Sequence, residues 1–306
     1  MLPGRNPALA GSGFTGHASQ TADWVHVRTG QLALVVNTHW HADHVEGNAM
    51  LQARGAGIAA SVPDAADAVA RRDPGCCQAE YLDQPVAPYT VDERLHDDQI
   101  LPLGDAEWQV IRTPGHTPGH LCLWQPDERL LIAGDALSDY DVGWVNTALD
   151  GPSAAATALA SLQRLVGLSP RMLIPAHGPI PADAASALTV ALRRAQRLVD
   201  DPDGAVWYAA RRIFAYALMI RGGIPTAQVE PYLHQRAWLT DAARLLHRAP
   251  DALAAELVES MLRSGAIVRR DQRIHAAAEY APVAPGKLHV PYPREWPPAP
   301  ASGTSR

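Results

Sequence analysis

The stretch "NTHWHADHVEGN" (37–48) concentrates metal-ligating chemistry: His39, His41, Asp43 and His44 fall within six positions. Imidazole and carboxylate are ordinary ligands for zinc and related divalent ions. In an extended segment the side chains at i and i+2 share a side, so His39 and His41 can converge on one ion. Asp43 and His44 lie just beyond, where the chain should turn, and could serve a second ion nearby. One short loop cannot close two coordination spheres, so each ion needs ligands from elsewhere. Three candidates follow apolar, strand-like runs and sit beside Gly or Pro: His116 in "TPGHTPGH", Asp135 in "IAGDA" and His177 in "IPAHGP". Packing explains polar groups at strand ends poorly, and such loops commonly carry binding sites. The chain has 13 histidines, so some clustering by chance is expected. An HxHxDH run joined by three strand-end ligands exceeds that expectation.

The elements that must position these residues are legible in outline. "LALVVNTH" (32–39) reads as a buried strand delivering the histidine loop, and "AGIAASV" (56–62) as another strand. "PDAADAVARRD" (63–73) reads as a helix. The run 106–115 is a strand that breaks at Pro114-Gly115, and 121–135 reads as strand, turn, strand. A helix is expected over 152–165, capped near Ser153, and a strand entering a loop over 171–179. From about residue 182 the apolar spacing becomes helical, first in two long stretches and then near 226–235 and 239–247. Residues 253–277 read as an amphipathic helix, a Gly turn and two short strands around "RDQR". Helices closed by a small β-ribbon suggest a winged-helix-like module. The division expected is 1–182 for a catalytic unit, 183–280 for the helical module and 281–306 for a Pro-rich tail.

The ordered set HxHxDH, "TPGHTPGH", "AGD" and "PAHG" resembles the metallo-β-lactamase-fold hydrolase superfamily, over residues 37–178. The resemblance implies an α/β fold, an αββα sandwich with a metal site at one edge of its two sheets. It also implies that His39, His41 and His116 hold a first divalent ion, that Asp43, His44 and His177 hold a second, and that Asp135 bridges them. Zinc leads as the metal, and manganese or iron tolerates the same ligands. Two ions about 3.5–4 Å apart can share a water and lower its pKa, giving a bridging hydroxide that attacks a carbonyl or phosphoryl centre. Asp43 could also orient that nucleophile. His120 is a candidate to hydrogen-bond a ligand or the substrate, and Tyr140, near Asp139 and Asp141, a candidate oxyanion donor. Trp40 is expected to pack under the loop or to line its mouth. The loops resemble the hydroxyacylglutathione hydrolase branch, and the C-terminal part resembles the winged-helix-like extension of some superfamily members.

Family members place several strands before the histidine loop, one ending in an Asp-Thr-Gly-like turn. Here 38 residues precede His39, with "GSG" (11–13) where that turn should be. A shortened first sheet is therefore expected, bringing weaker stability or compensating contacts with another chain, a homo-oligomer for instance.

Composition narrows the partners. A net charge of −6 argues against wholesale binding to nucleic acid or an anionic membrane. No run of about 18 apolar residues marks a membrane span, and no secretion signal is recognisable at the N-terminus. Three cysteines, Cys76, Cys77 and Cys122, lack zinc-like or disulfide-framework spacing and fit a reducing cytoplasm. The leading reading is a hydrolase of a small ester, thioester or lactone. A metal-dependent RNA or DNA phosphodiesterase and a non-enzymatic regulatory or binding protein are the alternatives.

Overall fold

The computed structural model describes residues 1–13, 17–65, 79–84 and 86–278. Its strands are β1 (Ala8–Ala10), β2 (Leu34–Val36), β3 (Gly57–Ser61), β4 (Glu93–Leu95), β5 (Ile100–Leu103), β6 (Ala106–Arg112), β7 (Leu121–Gln125), β8 (Leu130–Gly134) and β9 (Met172–Pro175). The first four form a parallel sheet in the order β1-β2-β3-β4, and the next five a mixed sheet in the order β5-β6-β7-β8-β9. Alternation along the strands builds the layers, because successive side chains point to opposite faces. Val36, Ala59, Trp108, Val110, Leu121 and Leu123 meet between the two sheets. Val35 and Ile58 turn outward to Ala22 and Val25 of α1 (Ala18–Thr29), beyond which come α2 (Ala42–Val45) and α3 (Asn48–Ala53). On the other outer face Ile111, Cys122, Leu131 and Leu173 meet a second helical layer. That sequence of layers is an αββα sandwich. Each fully buried Leu or Ile contributes roughly 1.5–3 kcal/mol relative to exposure.

Further helices follow: α4 (Ala79–Leu82), α5 (Thr147–Asp150), α6 (Ala154–Leu168), α7 (Ala184–Asp200), α8 (Pro202–Ile220), α9 (Val229–His234), α10 (Ala237–Leu245) and α11 (Pro250–Arg263). Sequence texture assigns α7 to the C-terminal module, but packing assigns it to the sandwich. Leu188, Ala191 and Ala195 of α7 share a core with Leu162 and Leu165 of α6 and with the second sheet. The chain leaves the sandwich at Asp201, whose side chain caps α8 through the Gly204 N–H, with Pro202 in the first turn. From there α8 to α11 pack around Phe214, Trp238, Leu239 and Leu257. A three-stranded antiparallel sheet closes them, β10 (Ile224–Pro225), β12 (Arg273–Ala276) and β11 (Ile267–Arg270) in that order.

The first residues are less irregular than the sequence suggests. Leu2 is buried between the sheets and exchanges backbone hydrogen bonds with Ala8, while Asn6 exchanges them with Gly104 at the end of β5. The helix α1 has no counterpart in the sequence reading. The helix expected over 63–73 begins at 62–65 and otherwise lies outside the described residues, as do Cys76, Cys77 and the tail 281–306. Ser153 is the N-cap residue of α6, but its side chain makes no capping hydrogen bond.

One clasp ties the segment after β3 to the C-terminal helices. Asp83 accepts two hydrogen bonds from the Arg221 guanidinium, at 2.7 and 2.8 Å, and one from the Tyr232 hydroxyl at 2.9 Å. Arg236 lies 3.3 Å from the same carboxylate. Leu82 beside it is fully buried in the C-terminal core. Asp83→Ala is expected to destabilise the protein by about 1–3 kcal/mol, because several half-buried donors lose their acceptor. Urea denaturation checks this, with Asp83→Asn expected to lose less because it keeps an acceptor oxygen.

Candidate metal centre and active site

The ligand candidates arrive at one edge of the sandwich in the loops after strands, with Asp43 and His44 in the short helix α2 that ends the first loop. The histidine loop follows β2, with Thr38, His39, Trp40, His41 and His44 all buried. Asn37 and Asn48 close its ends by a reciprocal pair of side-chain hydrogen bonds, 2.8 and 3.3 Å long. Ser12 holds the far side, donating its backbone N–H to the His44 carbonyl at 2.6 Å. Trp40 packs beneath the loop against the core of the C-terminal helices. His116 follows β6, Asp135 follows β8 and His177 follows β9.

These side chains converge in overlapping groups. One donor atom each from His39, His41 and His116 lie within 4.8 Å of one another, and the same holds for Asp43, His44 and His177. Asp135 stands between the groups. Its Oδ1 is 3.3 Å from His44 Nε2 and 3.4 Å from His177 Nε2, and its Oδ2 is 3.5 Å from His116 Nε2.

Hydrogen bonds fix which ring nitrogens face inward. The Trp144 carbonyl can only accept, so His116 Nδ1 donates to it at 2.8 Å and the Nε2 lone pair turns to the centre. There it lies 2.9 Å from His41 Nδ1. His39 Nδ1 contacts the Thr38 hydroxyl at 3.2 Å, and its buried Nε2 has no hydrogen-bond partner among the described residues. The indole of Trp144 stacks on His41 with centroids 5.3 Å apart. Gly143 leaves room for this arrangement, since a Cβ there would come 2.1 Å from the Asp135 carbonyl oxygen.

The electrostatics favour a cation. Burial first, then the neighbouring His44, holds His39 well below the usual imidazole range. Burial and then His116 do the same to His41. Burial alone would raise Asp43 and Asp135, but the charges and hydrogen bonds of His44 and His177 outweigh it and hold both carboxyls low. The Asp135 charge, against the cost of burial, pushes His177 up to about 11. Two buried carboxylates held in their charged form thus favour a positive charge at this point. Converging lone pairs, a buried partnerless Nε2 and this residual negative field all fit divalent cations.

His120 and Tyr140 part company. Tyr140 lines the adjoining chamber and is 54% exposed. His120 does not line it. Fully buried behind Asp135, His120 Nε2 accepts the Asp135 backbone N–H at 3.0 Å, which leaves Nδ1 to donate to Thr113 Oγ1 at 2.8 Å. The Thr113 hydroxyl reaches Cys122 Sγ at 3.3 Å, and Cys122 donates on to the Ala133 carbonyl at 3.4 Å. Burial, then His116, lowers His120 to about 3, which keeps it neutral as this chain requires. His120 thus supports Asp135 from behind and is out of reach of substrate. His120→Gln is expected to weaken metal binding by about 10–100-fold. Competition with a coloured chelator measures this, and a thermal melt of the metal-free chain separates it from unfolding.

The sequence reading did not find Asn37, Asn48, Thr113 or the Trp144 carbonyl. Asn37, Asn48 and Thr113 lie within the motifs but are not ligands, and each acts through a partner met only in the folded chain. Asp141 lines the same chamber as Tyr140, its carboxylate held by Arg212 at 2.6 Å and Arg194 at 3.3 Å.

The family model of the metallo-beta-lactamase superfamily matches residues 12–177, more than half of the chain. This chain belongs to that superfamily. The chain is 38% identical over 117 residues to a hydroxyacylglutathione hydrolase of Rhodobacter capsulatus, covering 38% of each chain. It is 40% identical over 97 residues to a probable metallo-hydrolase of Bacillus subtilis (strain 168), covering 28% of this chain and 36% of that one. The superfamily member thus spans less than two fifths of either curated relative. A metallo-beta-lactamase family protein from Thermus thermophilus shares the fold with a TM-score of 0.54 at 20% identity, over 90% of this chain and 92% of the other. Among the described residues no helix of this chain is long and apolar enough to cross a membrane.

Proposed function

We propose that the chain is a binuclear metal-dependent hydrolase of small esters or thioesters, with His39, His41 and His116 holding one ion, Asp43, His44 and His177 the other, and Asp135 reaching both. The observation that carries this reading is the pair of ligand groups sharing Asp135 at the wall of a cavity of about 370 Å³. Zinc suits the nitrogen-rich ligands. Divalent ions held there supply Lewis acidity toward a carbonyl oxygen and acidify water.

The chain's own residues do the rest. Asp43, 3.1 Å from His177 Nε2 and lining the cavity, is placed to orient the attacking water and to take up its proton. The low carboxyl pKa keeps Asp43 an acceptor throughout the neutral range. Trp144 covers His41 and excludes solvent from that side. Tyr140, on the cavity wall, can donate to the oxygen on which charge develops. The relation to a hydroxyacylglutathione hydrolase supports acyl chemistry over phosphoryl chemistry.

The experiment is a screen of the zinc-loaded chain against acyl esters, acyl thioesters, lactones, a β-lactam and single-stranded RNA. Hydrolysis of an ester or thioester, cut at least about a hundredfold by Asp43→Asn in a normally folded protein, is expected. Cleavage of RNA alone, or activity indifferent to the substitution, overturns the proposal.

A further inference from the structure

The cavity beside the ligand groups has two unlike ends. His41, Asp43, Asp135 and His177 form one end. Leu137, Trp144, Ile213, Met219 and Ala276 contribute much of the rest, alongside Gln84, Ser138 and Tyr208, and its surface is mainly apolar. Ile213, Tyr216 and Met219 stand on α8 and Ala276 on β12, all beyond the part of the chain that matches the family. Apart from the ligand groups, Asp141 and Arg212 are the only charged side chains among the described lining residues. They satisfy each other at 2.6 Å, with the Tyr208 hydroxyl 3.1 Å from the Arg212 guanidinium. The most exposed polar side chains of the wall are His177, at 55%, and Tyr140, at 54%. The cavity therefore meets solvent beside the ligand groups and again at Arg212, whose side chain is 44% exposed, and its surface is otherwise mainly apolar.

We propose that this cavity is an acyl chamber: the C-terminal helix α8 selects substrates by an uncharged, apolar acyl group larger than acetyl, while the leaving alcohol or thiol projects past His177 and Tyr140 into solvent. The proposal rests on the acyl-hydrolase reading above. At about 370 Å³ the chamber lies near the lower end of the range for small-molecule sites, which suits a short or cyclic apolar acyl group. Its inner wall offers no unpaired charge to a carboxylate or phosphate. Burial of each further methylene there adds binding energy. A leaving group in open solvent meets few fixed contacts, so its identity counts for little.

Two substrate series on the zinc-loaded full chain test this. In one the thiol is constant and the acyl group runs from acetyl to octanoyl; in the other the acyl group is hexanoyl and the thiol is neutral, anionic or cationic. The expected result is a kcat/KM rising roughly three- to fourfold per methylene until the chamber is full, with changes of less than about fivefold among thiols. Met219→Trp and, independently, Ala215→Phe fill the chamber and should bring the hexanoyl-to-acetyl ratio toward one. A flat acyl series, or a stronger dependence on the thiol than on the acyl group, overturns the proposal. Calorimetry with the unreactive probes acetate and hexanoate decides the same point without turnover. Hexanoate binding no tighter than acetate rejects the chamber even if hydrolysis is observed. Tighter hexanoate binding that is lost in Met219→Trp supports the chamber even if the hydrolase reading fails.

Discussion

His116→Ala is expected to lower kcat/KM by more than a hundredfold and to reduce bound metal in the same samples. Loss of a residue that merely supports a ligand already costs 10–100-fold in comparable sites, so loss of a ligand should exceed that. The effect on folding should depend on metal. His116 Nε2 accepts a hydrogen bond from His41 Nδ1 at 2.9 Å, while His39 Nε2 has no hydrogen-bond partner among the described residues. Removing the His116 imidazole takes away that acceptor and leaves the Trp144 carbonyl without its donor. The net change without metal should be small, within about 1–2 kcal/mol. With metal the gap should widen, because an ion bound only by the native state stabilises it by mass action. Thermal melts with and without zinc check this: the wild type should gain stability on zinc addition and His116→Ala should gain little.

Gly115→Ala is expected to be among the most damaging single changes outside the ligand set. Gly115 has φ +140°, a conformation that side chains rarely adopt, and a Cβ there would lie 2.4 Å from Ala158 Cα and 2.7 Å from Ala158 N. The obstacle is helix backbone, which cannot rotate aside. Strain and overpacking together should cost about 3 kcal/mol or more. The same displacement moves His116, the next residue, so metal affinity should fall with stability. Ser161 Oγ donates to the Pro114 carbonyl at 2.7 Å, a second tie between this turn and α6 that would be strained. Chemical denaturation and metal content measure the two effects, and a normal result in both would refute the packing argument.

Much of the site could be read before folding because its residues sit where strand patterns end. The apolar runs before His39, His116, Asp135 and His177 mark the strands, and the Gly and Pro residues beside them mark the loops. What stayed hidden depends on contacts between distant segments. His116 and His120 occupy equivalent places in the repeated "TPGH", yet the turn between them sends one toward the ligands and the other toward the backbone of Asp135. Asn37 and Asn48 pair only because the loop and α2 fold back on themselves. In α1 only Ala22 and Val25 are buried, too sparse an apolar stripe to announce a helix. α7 carries a strong helical period, but periodicity does not say which core the helix joins. Nor does it say that α8 turns Ile213 and Met219 toward the cavity.

The central claim is that the two ligand groups hold two ions and that hydrolysis depends on them. Zinc titration of the metal-free chain, with bound metal and thioester hydrolysis recorded on the same samples, tests it most directly. The account predicts uptake of about two ions per chain, activity that rises with occupancy, and loss of both in Asp135→Ala. Uptake well below one ion per chain, or full activity in the metal-free protein, would contradict it.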